Sequence, residues 1–199
     1  MKRFWLLPIL LLLIAVALGT THSTAGPQGA EPTAPVSVFF VRHAETASST
    51  RTNRDPELSK LGLQRSEALA KLLKSSGATH LFASEFMRTQ STLKALGEVC
   101  DLEVKVIPAG SAALQLDTLR SLPAGSVAVV CGHSNTVPAM VSKLGGKIAE
   151  FQNVPMAKQV LEHNAYNRIF LVVLPASEGA ATKAIELRYG KDPVQEHSD

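Results

Sequence analysis

The stretch Val36–Thr46, VSVFFVRHAET, decides how the chain is read. Six uncharged residues, VSVFFV, run straight into Arg42, His43 and Glu45. A short apolar run with a polar boundary reads as a strand buried on both faces, as in parallel sheets covered by helices. Such a strand delivers an arginine and a histidine side by side at its end. The question is what else the fold brings to that place.

Downstream, short apolar runs alternate with longer helical periods. LSKLGLQRSEALAKLLKSSG (58–77) predicts a helix with Leu61, Ala68, Leu69, Leu72 and Leu73 on one face, Ser59 as its cap and Gly77 as its stop. HLFAS (80–84) predicts a second strand, and SEFMRTQSTLKALG (84–97) a second helix capped by Ser84 and closed by Gly97. LEVKVIP is a third strand, 112–122 a third helix, and SVAVVCG (126–132) a fourth strand, apolar throughout. NTVPAMVSKLGG is a helix with Pro138 in its first turn, where proline is tolerated. YNRIFLVVLP and KAIELRYG, joined by a Gly-containing loop, read as a terminal hairpin. This alternation predicts an α/β fold, a three-layer α/β/α sandwich on a mostly parallel central sheet.

In such sheets ligands bind beyond the carboxyl ends of the strands. Arg42 and His43 follow the first strand. Ser84 follows the second, with Arg88 one helical turn on. Gly132 and His133 follow the fourth, leading through Ser134, Asn135 and Thr136 into a helix. If the strands are parallel, two arginines, two histidines and two helix N-termini share one edge. Arginine's planar fork matches phosphate oxygens, and helix N-termini add free N–H groups and a favourable dipole. Histidine can act as a nucleophile, and fixed cations nearby disfavour its protonation. Ser84 and Asn135, at the two helix N-termini, join Arg42, Arg88 and His133 as candidate substrate-binding residues. Each residue alone has a structural reading; their repetition at strand ends carries the inference. His80 and His163 read as structural, and His22 and His197 lie in linker and tail.

Composition bounds the alternatives. The 199 residues are 45% hydrophobic, which suits one globular domain. Formal charge is +3; without Lys2 and Arg3 it is 18 basic against 17 acidic residues, or +1. No basic run with interleaved aromatics occurs, so a nucleic-acid partner is not expected. Lys2 and Arg3 precede fifteen apolar residues, Phe4–Leu18, and small residues follow. A spanning helix needs roughly 20 apolar residues, so residues 1–25 are expected to be a cleaved export signal, with an uncleaved membrane anchor as the alternative. The protein is accordingly expected to be periplasmic or extracellular, or held at the membrane. Residues 26–35 have a linker composition, 36–190 form the domain, and 191–199 are a polar tail. Cys100 and Cys131 are expected to be free thiols, since the predicted sheet keeps them well beyond the roughly 7 Å that a disulfide spans.

These residues resemble the histidine phosphatase superfamily, in its phosphoglycerate mutase-like branch 1 and small phosphatase type. FFVRHAET resembles its first-strand signature, with Ala44 where glycine is usual. DPELSKLGLQRSEALA, FASEFMRTQSTLKAL, VAVVCGHSNTVPAMVSKLGG and LRYG resemble later segments in order, over about Val36–Gly190. The resemblance implies a phosphoglycerate mutase-like fold, His43 as nucleophile, and Arg42, Arg88 and His133 around the phosphoryl group. It implies a histidine acid phosphatase-type phosphoric ester hydrolase without cofactor or metal, acting on a small phosphorylated molecule or a phosphoprotein. Ala44 would be strained if the position requires positive φ. Ser134 follows His133 where some relatives have an aspartate. The short segment 108–125 contains a single acid, Asp117. The general acid is unassigned, with Glu45 as a weak candidate.

Four other functions fit parts of the sequence. A mutase would need a lid that the short central region lacks. A serine hydrolase would use Ser134 in CGHSNT, leaving Arg42, His43 and Arg88 unexplained. A non-catalytic phospholigand-binding domain would keep the pocket without turnover. A metal site from the histidines lacks any local ligand pair.

Overall fold

The computed structural model describes residues 34–149, 159–177 and 179–192. The expected export signal or anchor (1–25), residues 26–33 of the linker and residues 193–199 of the tail lie outside them. The elements are β1 (Val36–Arg42), α1 (Lys60–Leu73), β2 (His80–Ala83), α2 (Met87–Cys100), β3 (Val104–Val106), α3 (Ala112–Arg120), β4 (Val127–Gly132), α4 (Thr136–Lys143), β5 (Arg168–Leu174) and β6 (Lys183–Arg188). Among the described residues no helix is long and apolar enough to cross a membrane.

One six-stranded sheet runs in the order β3-β2-β4-β1-β5-β6. The first four are parallel to their neighbours, while β5 pairs antiparallel with β1 and β6 antiparallel with β5. The hairpin expected from the sequence therefore forms and closes one side of the sheet. Val38 and Phe40 of β1 pack with Val137, Met140 and Val141 of α4 and Leu119 of α3. Val41 faces the other way, into Leu69 and Leu73 of α1 and Leu93 and Leu96 of α2. Both faces are covered, so from Val38 to Val41 both sets of alternate residues in β1 are apolar and the period-2 signal disappears. The result is the three-layer sandwich.

Register aligns the strand ends. Val41 of β1 pairs with Cys131 of β4, which pairs with Ala83 of β2, so three carboxyl ends lie level along one edge.

Local chemistry explains most element boundaries, with some differences from expectation. The Ser59 hydroxyl accepts the Gly62 N–H at 3.1 Å and caps α1. The buried stripe of α1 is Gly62, Arg65, Ser66, Leu69, Ala70 and Leu73. Leu72 is 47% exposed, contrary to expectation, because at 100° per residue it is rotated out of that stripe. The second helix starts at Met87, and Ser84 does not cap it. Asp55, from the loop before α1, accepts the Met87 N–H at 2.7 Å instead. Gly97 lies inside α2, which continues to Cys100 and ends at left-handed Asp101. A methyl group on Gly97 would lie 2.7 Å from the Leu102 carbonyl oxygen, so close backbone approach requires glycine there. Helix α3 stops at Arg120, short of the expected Leu122. Cys100 and Cys131 are both free thiols, as expected.

Candidate active site

The His43 N–H donates to the Gly132 carbonyl at 2.9 Å, extending the β1–β4 pairing by one residue and fixing the backbone of the histidine. Its ring Nδ1 lies 2.9 Å from the Ala44 carbonyl oxygen. A carbonyl can only accept, so Nδ1 carries the hydrogen and Nε2 carries the lone pair. Burial pushes the His43 pKa down to about 3, and Arg42, Arg88 and His133 push the same way against the Ala44 hydrogen bond. The ring is therefore neutral at ordinary pH, with an unprotonated Nε2.

His133 lies across from it, the ring centroids 5.5 Å apart. Its backbone N–H donates to Thr136 Oγ1, which opens α4, and its Nε2 lies 2.9 Å from Ser84 Oγ. Hydrogen counting fixes the direction. Thr89 Oγ1 gives its one proton to the Phe86 carbonyl at 2.7 Å, so it accepts from Ser84 at 2.8 Å. The Ser84 proton is thus used, and Ser84 accepts from His133 Nε2–H. The other ring nitrogen, Nδ1, becomes a donor when the ring is protonated. Burial and then Arg88 lower the His133 pKa to about 4. A phosphoryl dianion would oppose that shift and recruit the proton.

Arg42 is 6% exposed. Its Nη1 donates to the carbonyls of Glu162 (3.0 Å) and His163 (2.8 Å), its Nη2 to the Tyr166 hydroxyl (3.3 Å), and it stacks 4.1 Å over the Tyr166 ring. Its Nε–H is buried and has no partner among the described residues. A buried, charged donor without an acceptor is costly, and an anion placed there would relieve it. Arg88, in the first turn of α2, donates to Asp55 at 2.9 Å and stacks 4.3 Å over Phe86.

The structure thus gathers Arg42, His43, Ser84, Arg88 and His133. Ser84 is 3% exposed and acts on His133 rather than as a cap. Asn135 is exposed, and its side chain does not cap α4. Among the described residues no hydrogen bond joins the Ser134 hydroxyl to a histidine, as a serine nucleophile would need. The segment 160–166, where His163 reads as structural from sequence, supplies the carbonyls and tyrosine that grip Arg42. The antiparallel pairing of β5 with β1 was the missing signal, because it carries the residues before β5 to the edge where β1 ends.

Glu45 is not placed as a general acid. Both its oxygens are held by buried Arg65, with Nε at 2.9 and 2.8 Å and Nη2 at 2.6 Å. Arg65 also donates to the carbonyls of Tyr189 and Lys191, tying the end of β1 to the end of β6. Ala44 is not strained: Asp101 is the one non-glycine residue with positive φ among the described residues. Ala44 is fully buried and donates its N–H to Thr92 Oγ1 at 2.9 Å. Among the described residues no three His, Cys, Asp or Glu side chains are grouped to hold a metal ion.

Parts of the chain are similar to known proteins. A family model, the histidine phosphatase superfamily (branch 1), matches residues 38–109. The "Probable phosphoglycerate mutase GpmB" of Yersinia enterocolitica is 33% identical over 75 residues, which cover 36% of this chain and 35% of that protein. The chain therefore matches about a third of the length of this curated relative. Among solved structures, the protein histidine phosphatase SixA complexed with tungstate superposes with a TM-score of 0.55 at 21% identity, covering 76% of this chain and 96% of that one. A mycobacterial glucosyl-3-phosphoglycerate phosphatase gives 0.51 at 17% identity, over 69% and 89%. Phosphoglycerate mutase from Plasmodium falciparum gives 0.51 at 15%, over 81% and 94%. Residues 38–109 thus match the histidine phosphatase superfamily (branch 1) model, and the described domain shares the fold of these phosphatase and mutase structures.

Proposed function

We propose that the protein is a metal-independent phosphatase that hydrolyses a phosphomonoester or a phosphohistidine through a phosphohistidine at His43. The observation that carries this reading is the unprotonated Nε2 of buried His43, next in the chain to Arg42, whose buried Nε–H has no partner among the described residues. Nε2 attacks phosphorus, the bond to the leaving group breaks, and the leaving group takes up a proton. Water then attacks phosphorus and the P–Nε2 bond breaks. Inorganic phosphate leaves, and Nε2 regains its lone pair. Arg42, Arg88 and protonated His133 stabilise charge on the phosphoryl oxygens throughout.

Among the described residues, Glu45, the acid nearest the nucleophile in sequence, is not free to protonate the leaving group. Glu45 is committed to Arg65, and Asp117 lies on α3. Substrates whose leaving group needs little protonic help are favoured. A phosphohistidine and an aryl phosphate both meet that condition, and one structural neighbour is a protein histidine phosphatase. The lowered pKa of His43 supports acid phosphatase behaviour, since the nucleophile stays unprotonated well below neutrality. The composition of residues 1–25 supports action outside the cytoplasm, and recovery of the tagged full chain from the cytosol would count against that.

The test is hydrolysis of p-nitrophenyl phosphate by the full chain and by His43→Ala, with EDTA, from pH 5 to 8. Turnover by wild type that survives EDTA and vanishes in the variant is expected. Folded wild type that binds inorganic phosphate without turnover would replace the phosphatase by a phospholigand-binding domain.

A further inference from the structure

Asp55 makes two hydrogen bonds that meet at the start of α2. One carboxylate oxygen accepts the Met87 N–H at 2.7 Å and the other accepts Arg88 Nη1 at 2.9 Å. Phe86, at the N-cap position, offers no side-chain cap, so Asp55 takes that place from outside the helix. Its loop is closed at its base: Ala47 N–H donates to the Glu57 carbonyl, and Thr46 bridges Leu58. Within the loop, Asp55 N–H donates to Asn53 Oδ1. Arg88 is thus bounded by Asp55 on one side and the Phe86 ring on another.

We propose that Asp55 is a positioning residue that holds Arg88 in the orientation required by the reacting phosphoryl group. The proposal rests on the reading of Arg88 as a phosphoryl-binding residue. Asp55 accepts from one of the five guanidinium donors, and among the described residues no other acceptor holds the rest, so they can meet phosphoryl oxygens. The ion pair is partly exposed, with side chains 17% and 33% accessible, so it contributes little stability by itself. Its effect is geometric. Without it, a long side chain on the first turn of a helix would sample several rotamers, and a displacement of about 1 Å at a reacting centre can cost roughly a hundredfold in rate.

Asp55→Asn separates the two contacts. The amide oxygen can still accept the Met87 N–H, but the amide nitrogen then faces Arg88 donor to donor. Expected is a fall in kcat of roughly tenfold with p-nitrophenyl phosphate, with KM not raised and thermal midpoint unchanged. Asp55→Ala should lose the same activity and also melt earlier. In an Arg88→Ala background either substitution should change kcat less than about twofold, because a residue acting through Arg88 has nothing left to act on. Independently of turnover, the side-chain Nε–H resonance of Arg88, assigned by its loss in Arg88→Lys, should be sharp in wild type and broadened in Asp55→Asn. An unchanged resonance, an unchanged or raised kcat, or equal losses in both backgrounds would overturn the proposal. If wild type hydrolyses nothing, the phosphatase reading fails and the resonance alone decides on Asp55.

Discussion

Gly62→Ala should disable the protein through its backbone. Gly62 lies in the first turn of α1, where the helix meets the end of β1. A methyl group there would sit 2.0 Å from the Glu45 carbonyl oxygen, 3.0 Å from its carbon and 3.1 Å from its nitrogen. All three are main-chain atoms, so no rotamer change relieves the clash. Bringing the oxygen contact out to even 3.0 Å requires a shift of 1.0 Å (3.0 − 2.0). Helix propensity works the other way, favouring alanine over glycine by about 1 kcal/mol. Overpacking typically costs roughly 1–3 kcal/mol, and more where the neighbour is rigid. The clash should win, leaving a net loss of about 2 kcal/mol in urea unfolding. Glu45 is two residues from His43, so a 1 Å displacement there should also lower kcat/KM for p-nitrophenyl phosphate by roughly a hundredfold. Gly110→Ala is the control, since its added methyl group meets nothing within 4 Å. A Gly62→Ala protein as stable and as active as that control would refute the reasoning.

Glu45→Ala should destabilise by roughly 3–5 kcal/mol in denaturant titration, because Arg65, 1% exposed, loses its carboxylate partner. If stability held while hydrolysis of alkyl phosphates alone collapsed, Glu45 would be the general acid after all. The ligand-free protein should lose stability as pH falls from about 6.5 towards 4. His43 and His133 have folded pKa values below their unfolded ones, so the unfolded state binds more protons in that window. The loss should be shallower in His43→Ala, and equal slopes in the two proteins would contradict the buried neutral histidine. With a thiol reagent and no reductant, the denatured protein should show two thiols. In the native protein half-buried Cys100 should react first, and Cys131, buried with its pKa pushed up by burial, only on unfolding.

The site was legible where strand ends announced themselves. Arg42, His43, Arg88 and His133 each follow a strand in the sequence, and level registers bring those ends together. What stayed hidden depends on long-range contacts that no local pattern encodes. Glu45 looks available in sequence because its partner, Arg65, lies twenty residues on in another element, and no local pattern pairs the two. Ser84 looks like a cap because nothing local shows that Asp55 caps α2 from across a loop. Tyr166 and the carbonyls of Glu162 and His163 belong to a loop without periodicity, and only the β1–β5 pairing places them. The glycine of LSKLG is visible in the sequence, but the carbonyl it must clear is not.

The sheet order also has a consequence for how the molecule comes into being. β1 is synthesised first among the strands yet sits in the middle, and its two neighbours come late. Ser37 waits 90 residues for Val127, and Phe40 waits 130 for Phe170. Contacts so distant along the chain slow folding, because closing long loops precedes any reward from pairing. Until β5 arrives, the strand carrying the nucleophile has at least one bare hydrogen-bonding edge flanked by valine and phenylalanine, the kind of surface on which chains aggregate. Chains released before residue 168 should therefore be insoluble rather than merely inactive.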